Sequence, residues 1–183
     1  MWRKAVLIWA ASALAAQAAG LEIEVAGVAK GVITIDLFED VAPQHAQRLT
    51  QLAEEGAYDG VVFHRVIDGF MAQTGDVAFG RQGMPPRQMG TGKSDYSDLP
   101  AEFSDIPFDR GVVGMARASA PDSANSQFFI MFAPGYFLNG QYTVIGRVTD
   151  GMEIVDAIKR GHPRTGQIAD GEPDVMQRVT PTE

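Results

Sequence analysis

One stretch of the sequence combines a cation, an amide and apolar side chains at a spacing that could do chemistry. Arg65 lies among β-branched and aromatic residues, and Phe70, Met71 and Gln73 follow within eight positions. Side chains two positions apart on a strand share a face, so Arg65, Met71 and Gln73 are predicted to lie together. A guanidinium beside an apolar wall and an amide would suit an uncharged polar substrate.

A β-hairpin is predicted to position these side chains. Val61–Ile67 and Phe70–Thr74 are short β-type runs, and Asp68-Gly69 between them is typical of a tight turn. His64 is the immediate neighbour of Arg65, so it is predicted to face the other way and is interpreted as structural. Without its context, Arg65 would be a solvated edge residue and the apolar side chains would be core.

The remaining patterns predict a mainly β protein with two helices. Helix formers follow Pro43, which suits a first helical turn, and Gly56 follows the segment. Asp150 and Glu153 have the spacing of a capping box for a second helix, which Gly161 would follow. About seven or eight strands fit an antiparallel barrel with helices over its open ends, although periodicity alone does not choose it over a sandwich. The other β runs are Leu21–Val25, Val32–Leu37, Gly111–Ala116, Gln127–Phe132, Tyr142–Val148 and Val175–Val179.

Composition excludes several classes of function. The 183 residues suit one domain, and a net charge of −8 argues against binding to nucleic acid or an anionic membrane. The chain has no cysteine, so disulfides and thiolate catalysis are excluded. The three histidines lack the spacing of metal ligands. We therefore expect no metal and no cofactor, and an acidic single domain favours a monomer.

A phosphate-binding loop is rejected. Val77–Pro100 has little periodicity and is predicted to be a long loop, functional or mobile. It contains Gly90-Thr91-Gly92-Lys93-Ser94, which superficially suggests a nucleotide site. The motif needs a glycine where Arg87 stands, and no apolar strand precedes it.

The first eighteen residues have the pattern of a secretory signal peptide. Arg3 and Lys4 precede the apolar stretch Ala5–Ala16, and Ala16-Gln17-Ala18 places small residues at the spacing that a signal peptidase reads. The apolar stretch is short for a bilayer span, which favours cleavage over an uncleaved anchor. We therefore expect residues 1–18 to be removed after Ala18, leaving a domain at 19–183. An exported destination follows, the periplasm if the source is a Gram-negative bacterium.

Several ordered motifs carry a resemblance to a known family. Phe63-His64-Arg65-Val66-Ile67, followed by Gly69-Phe70-Met71-Ala72-Gln73, closely resembles the signature of the cyclophilins, which are peptidyl-prolyl cis-trans isomerases. Ser126-Gln127-Phe128-Phe129-Ile130 and Phe137-Leu138-Asn139-Gly140 resemble later family motifs. The resemblance implies a closed antiparallel eight-stranded β-barrel capped by two α-helices.

The resemblance also implies site residues and partners. The catalytic positions would be Arg65, Phe70 and Gln73. Proline-containing peptides and unfolded protein clients would be the partners, without nucleic acid and without stable membrane association once the signal is cleaved. The substrate-binding positions would be Met71, Gly90, Ala116, Arg117, Ala118, Gln127, Phe129, Phe137, Leu138 and Tyr142.

The implied chemistry is consistent with these residue types. Rotation about a peptide bond must break C–N resonance, at a barrier of about 18–20 kcal/mol, and needs neither a metal nor a covalent intermediate. A guanidinium such as Arg65 could donate a hydrogen bond toward the prolyl nitrogen, which gains a lone pair as resonance is lost. An alternative is a module of the same fold that binds proline-containing segments without turnover. Such a module would not need the guanidinium.

Overall fold

One antiparallel sheet carries the fold in the computed structural model, which describes residues 19–168 and 171–182. The predicted mainly β class with two helices is confirmed. The predicted signal peptide, residues 1–18, lies outside the described residues. Within the described part of the chain, no helix combines the length and the hydropathy of a membrane span. The helices are α1 (Pro43–Glu54) and α2 (Met152–Ala157), with a 3-10 turn at Tyr136–Leu138; the strands are β1 (Gly20–Ala26), β2 (Gly31–Leu37), β3 (Val61–Val62), β4 (Arg65–Ile67), β5 (Met71–Thr74), β6 (Val112–Met115), β7 (Phe128–Met131), β8 (Val144–Asp150) and β9 (Val175–Thr182).

The sheet curls until its two edges adjoin. Its described strands follow the order β3-β9-β1-β2-β8-β6-β7-β5-β4, so β3 and β4 are the edges. Only Phe63 and His64 separate these strands in sequence, and a chain advances at most about 3.6 Å per residue. The edges must therefore lie close together, as in a barrel.

The strand count is nine within the described residues, instead of the eight expected. The predicted run Val61–Ile67 is divided because its two ends pair with different partners. Val61 and Val62 pair with β9, and the N–H of Phe63 donates to the carbonyl of Asp174 at 2.9 Å. Arg65–Ile67 pairs with β5 instead, so the run crosses from one edge of the sheet to the other.

The predicted hairpin forms between β4 and β5, with a longer turn than expected. Ile67 pairs with Met71, which leaves Asp68, Gly69 and Phe70 in the turn. Gly69 has a φ of 67°, which glycine adopts without steric cost. Phe70 was predicted to begin the second strand, but it lies in the turn, and its N–H donates to the carbonyl of Ile67 at 3.1 Å.

The two faces of the sheet carry separate apolar clusters. The main core includes Phe128 and Ile130 and receives the predicted apolar face of α1, with Leu49 fully buried. A smaller cluster on the other face contains Met71, Phe108, Val112, Phe129, Met131, Leu138 and Val144. Alternation along β7 produces this division, because Phe128 and Phe129 point to opposite sides.

The predicted capping box at the start of α2 is wrong. Asp150 pairs with Thr34 as the last residue of β8, and the residue before the helix is Gly151, with a φ of 80° and no side-chain cap. A Cβ at Gly151 would lie 3.0 Å from the Cα of Ile33, so the close approach to β2 favours glycine there. The helix ends at Ala157, before Gly161.

Candidate active site

A row of residues crosses four neighbouring strands on the face that carries the smaller cluster. Arg65 on β4 pairs with Gln73 on β5, Gln73 pairs with Phe129 on β7, and Phe129 pairs with Gly114 on β6. Residues that pair across strands share a face, so these side chains lie together. The predicted common face of Arg65, Gln73 and Met71 is therefore present.

Gly114 makes room for the Phe129 ring. A Cβ at Gly114 would lie 2.6 Å from ring atoms of both Phe108 and Phe129. The two rings stack with centroids 5.7 Å apart, and the ring of Tyr142 meets Phe129 edge-on at 5.9 Å. Our sequence interpretation did not single out Gly114. An isolated glycine inside a strand was the available signal, because it often marks a close approach.

Arg65 is held by three contacts, which use two of its three nitrogens within the part of the chain that the structure describes. Its Nη1 donates to Oε1 of Gln73 at 3.1 Å and lies 3.9 Å from the sulfur of Met71. Its Nε donates to the carbonyl of Thr165 at 3.2 Å. Nη2 has no hydrogen bond within residues 19–168 and 171–182. Burial lowers the pKa of Arg65 below its ordinary value, and nearby Tyr142 partly opposes this. A guanidinium nevertheless stays protonated in proteins.

The contact from Thr165 was not predicted. The segment around it looked like a polar connection before β9, and nothing in its composition marks a contact with β4. Gly166 has a φ of 76°, and a Cβ there would lie 2.8 Å from Cγ of Arg65. The turn at Thr165 and Gly166 therefore packs directly on the stem of the arginine.

All thirteen predicted site residues line two adjoining cavities. The first, the apolar slot, has a volume of about 250 Å³. The second, the polar cavity, has a volume of about 350 Å³ and shares Ala116 and Arg117 with the slot. The slot is lined by Arg65, Phe70, Met71, Ala116, Arg117, Phe129, Phe137, Leu138 and Tyr142, and the polar cavity by the predicted residues Gln73, Gly90, Ala118 and Gln127 among others.

Aromatic rings form the open rim of the slot. Phe137 is 67% exposed, and its ring lies 5.4 Å from that of Phe70, measured between centroids. Leu138 lines the same slot and is buried. An extended peptide could therefore place a small apolar ring between rigid walls and keep its flanking residues in solvent.

Arg117 lines both cavities and stabilises the loops between them. Its guanidinium lies 4.5 Å from the ring centroid of Tyr142, a cation–π contact. It also donates to the backbone carbonyls of Ala118, Ser119 and Gln141 at 3.0–3.2 Å. The side chain thus ties the two loops that flank the slot.

A pair of amides connects the two cavities. Nε2 of Gln73 donates to Oε1 of Gln127 at 2.9 Å. Nε2 of Gln127 donates in turn to the carbonyls of Gly90, at 3.1 Å, and Gly92, at 2.8 Å. Among the described residues, no group of three or more His, Cys, Asp or Glu side chains is placed to hold a metal ion. The arrangement offers a fixed cation, oriented amides and an apolar slot.

Comparisons with known proteins agree with this geometry. Residues 21–180 match the family model described as cyclophilin type peptidyl-prolyl cis-trans isomerase/CLD. A probable peptidyl-prolyl cis-trans isomerase of Brucella suis is 60% identical over 133 residues, which are 72% of this chain and 68% of that protein. A peptidyl-prolyl cis-trans isomerase of Arabidopsis thaliana is 38% identical over 136 residues, 71% of this chain and 78% of that protein.

Solved structures show the same fold. A cyclophilin-type isomerase of Cryptosporidium parvum, crystallised in the presence of the dipeptide Ala-Pro, has a TM-score of 0.73 at 25% identity and covers 90% of this chain and 99% of its own. A cyclophilin of Hirschia baltica has a TM-score of 0.72, also at 25% identity, and covers 88% of this chain and 73% of its own. The chain belongs to the cyclophilin-type peptidyl-prolyl cis-trans isomerase family.

Proposed function

We propose that this enzyme isomerises X-Pro peptide bonds in the apolar slot, with Arg65 donating a hydrogen bond toward the prolyl nitrogen. Resonance between the carbonyl and the nitrogen must be lost for the bond to rotate. The nitrogen then becomes a better hydrogen-bond acceptor than it is in the planar amide. A donor aimed at that nitrogen stabilises the twisted state more than the ground state, which is the condition for catalysis.

The observation that carries this proposal is the placement of Arg65. Its Nε and Nη1 are fixed by Thr165 and Gln73, while Nη2 has no partner within the described residues. Arg65 also lines the same slot as Phe129 and Leu138. Since the guanidinium is already held in position, donation to a substrate would cost little reorganisation.

The apolar walls support proline as the residue that binds. Met71, Phe129 and Leu138 are buried and would contact a pyrrolidine ring through apolar atoms. A slot of low polarity also favours the twisted amide, because it is less dipolar than the planar one. The Cryptosporidium neighbour was crystallised in the presence of a dipeptide that ends in proline, which supports the same class of ligand.

Replacement of Arg65 tests this function. In a protease-coupled assay with a proline peptide, Arg65→Ala should lower kcat/KM by about 10²–10³-fold, the usual cost of removing a preorganised donor. Arg147→Ala is the matched control, because Arg147 is an exposed strand arginine on β8 outside both cavities. Equal rates for Arg65→Ala and wild type, with both proteins folded, would contradict the assignment. Peptide binding without cis–trans exchange in NMR exchange spectra would instead identify a binding module.

We further propose that the enzyme assists the folding of exported proteins as a monomer. Support comes from the signal-like pattern of residues 1–18 and from the position of β1. The strand begins at Gly20, which pairs with Asp36 of β2 and Thr182 of β9. Cleavage after Ala18 would leave every residue of β1 in place. Mass spectrometry of the exported protein would give the mature N-terminus, and light scattering its oligomeric state.

A further inference from the structure

Asp76 is a fully buried carboxylate that lines neither cavity of the site. Asp76 follows β5 after Gly75 and is 0% exposed. Its Oδ1 accepts the N–H groups of Ala78, at 3.2 Å, and Phe79, at 2.8 Å. Its Oδ2 accepts those of Gly90, at 2.7 Å, and Gly92, at 3.1 Å.

Gly90 and Gly92, whose N–H groups donate to Oδ2 of Asp76, also hold the side-chain amide of Gln127. The carbonyls of Gly90 and Gly92 accept from Nε2 of Gln127. Oε1 of Gln127 accepts from Gln73, and Oε1 of Gln73 accepts from Nη1 of Arg65. One continuous series of contacts therefore joins the guanidinium to the buried carboxylate.

Every hydrogen bond in this series points the same way. A guanidinium can only donate and a backbone carbonyl can only accept, so Arg65 at one end and the carbonyls of Gly90 and Gly92 at the other fix the orientation of both amides. Reversing Gln127 would place its oxygen against the carbonyls of Gly90 and Gly92. Reversing Gln73 would place its NH₂ group against the Arg65 guanidinium. Either change leaves partly buried groups unpaired, and bonds aligned in series also polarise one another.

We infer that Asp76 is a positioning residue for Arg65, acting through Gly90, Gly92, Gln127 and Gln73. A carboxylate that only fastened the nearby turn would need no more than the contacts to Ala78 and Phe79. Oδ2 instead fixes the backbone of Gly90 and Gly92, whose carbonyls hold the side-chain amide of Gln127. This inference rests on the proposed function, because it assumes that the direction of the Arg65 guanidinium limits the rate.

The chain offers a matched control. Asp174 is also a buried carboxylate, 1% exposed, and it accepts three backbone N–H groups, from Val28, from Ala29 at 3.1 Å and from Lys159 at 2.7 Å. It lies outside both cavities. Asp→Asn at either position keeps the size of the side chain but turns an NH₂ group toward backbone N–H donors. Both variants should lose stability, so stability alone does not distinguish the two residues.

Catalysis distinguishes them. At a temperature where urea unfolding shows both variants to be folded, Asp76→Asn should lower kcat/KM by about 10-fold, because small displacements of a catalytic group are costly. Asp174→Asn should stay within about 2-fold of wild type, since the backbone N–H groups that its carboxylate accepts belong to residues that line neither cavity. Equal kcat/KM values for the two variants would overturn the inference. If Asp76→Asn is unfolded at that temperature, Asp76→Glu is compared with Asp174→Glu under the same criterion.

A double-mutant cycle gives a readout that general damage to the fold would not change. In a Gln73→Ala background the link to Arg65 is already cut, so adding Asp76→Asn should lower kcat/KM by less than about 3-fold. The same loss in both backgrounds would show that Asp76 acts only through overall structure, and would overturn the inference. Full activity of Arg65→Ala would overturn the proposed function as well. An inactive Arg65→Ala beside a fully active Asp76→Asn would overturn the inference alone.

Discussion

The buried histidine next to Arg65 should make the stability of the fold depend on pH. His64 is 5% exposed and lies between the edge strands β3 and β4, against Gly90. Burial lowers its pKa to about 4 from an ordinary value near 6.5; the carboxylate of Asp76 opposes this shift and the charge of Arg65 adds to it. The imidazole is therefore neutral in the folded protein at pH 7.

The sign and size of the effect follow from these two pKa values. Between pH 6.5 and 4 the unfolded chain binds a proton at His64 that the folded chain does not. This contribution to stability is thus complete above pH 6.5 and is lost as the pH falls toward 4. The full difference corresponds to about 3 kcal/mol, of which about 2 kcal/mol is lost by pH 5.

Urea unfolding at pH 7.5 and pH 5.0 measures this loss. Wild type should lose about 2 kcal/mol more than His64→Gln between the two values, because glutamine takes up no proton. Carboxylates with lowered pKa, such as Asp98, Glu102 and Asp156, also lose stability in acid, but they do so in both proteins and cancel in the difference. The same loss in wild type and His64→Gln would show that the imidazole is not held neutral.

One further substitution and one double-mutant cycle test how the structure is held together. Gly114→Ala should displace the Phe129 ring, destabilise the fold by about 1–3 kcal/mol and lower kcat/KM, because the added Cβ would lie 2.6 Å from the rings of Phe108 and Phe129; an unchanged urea midpoint and rate would contradict this packing. The ion pair of Arg110 and Asp156 is bidentate, but its side chains are 45% and 44% exposed. A double-mutant cycle on that pair should therefore give a coupling below about 1 kcal/mol that decreases with salt, and a larger, salt-independent value would contradict it.

The local sequence pattern is sufficient to predict the parts of the site that depend on strand alternation. The period of two places Arg65 and Gln73 on one face of the hairpin and separates Phe129 from Phe128. The Asp68-Gly69 turn predicts the hairpin itself, although the pattern could not show that Phe70 joins the turn. These contacts lie between neighbours in sequence or depend only on which face a side chain takes.

Contacts between distant segments were not predictable in this way. The carbonyl of Thr165 reaches Arg65 across 100 positions, and no local preference encodes such a pairing. The division of Val61–Ile67 likewise depends on β9, which lies more than a hundred residues further along the chain. Asp150 has capping-box spacing, yet its place in the β8 ladder overrides the local preference. In each case tertiary pairing decides between conformations that the sequence allows.

The two faces of the sheet explain how a rigid fold can keep an open site. The main core stabilises the sheet from one side, with Phe128 and Ile130 fully buried. The fold therefore does not need the smaller cluster on the other face to be fully shielded from solvent, and Phe137 at its rim is 67% exposed. Arg65 and Gln73 lie on strands rather than on loops, so their positions are set by the ladder and not by the bound peptide. The loop residues that complete the site, Gly90 and Gly92, depend on Asp76 instead. Loss of that carboxylate should consequently displace Arg65 more than it displaces the side chains of the main core.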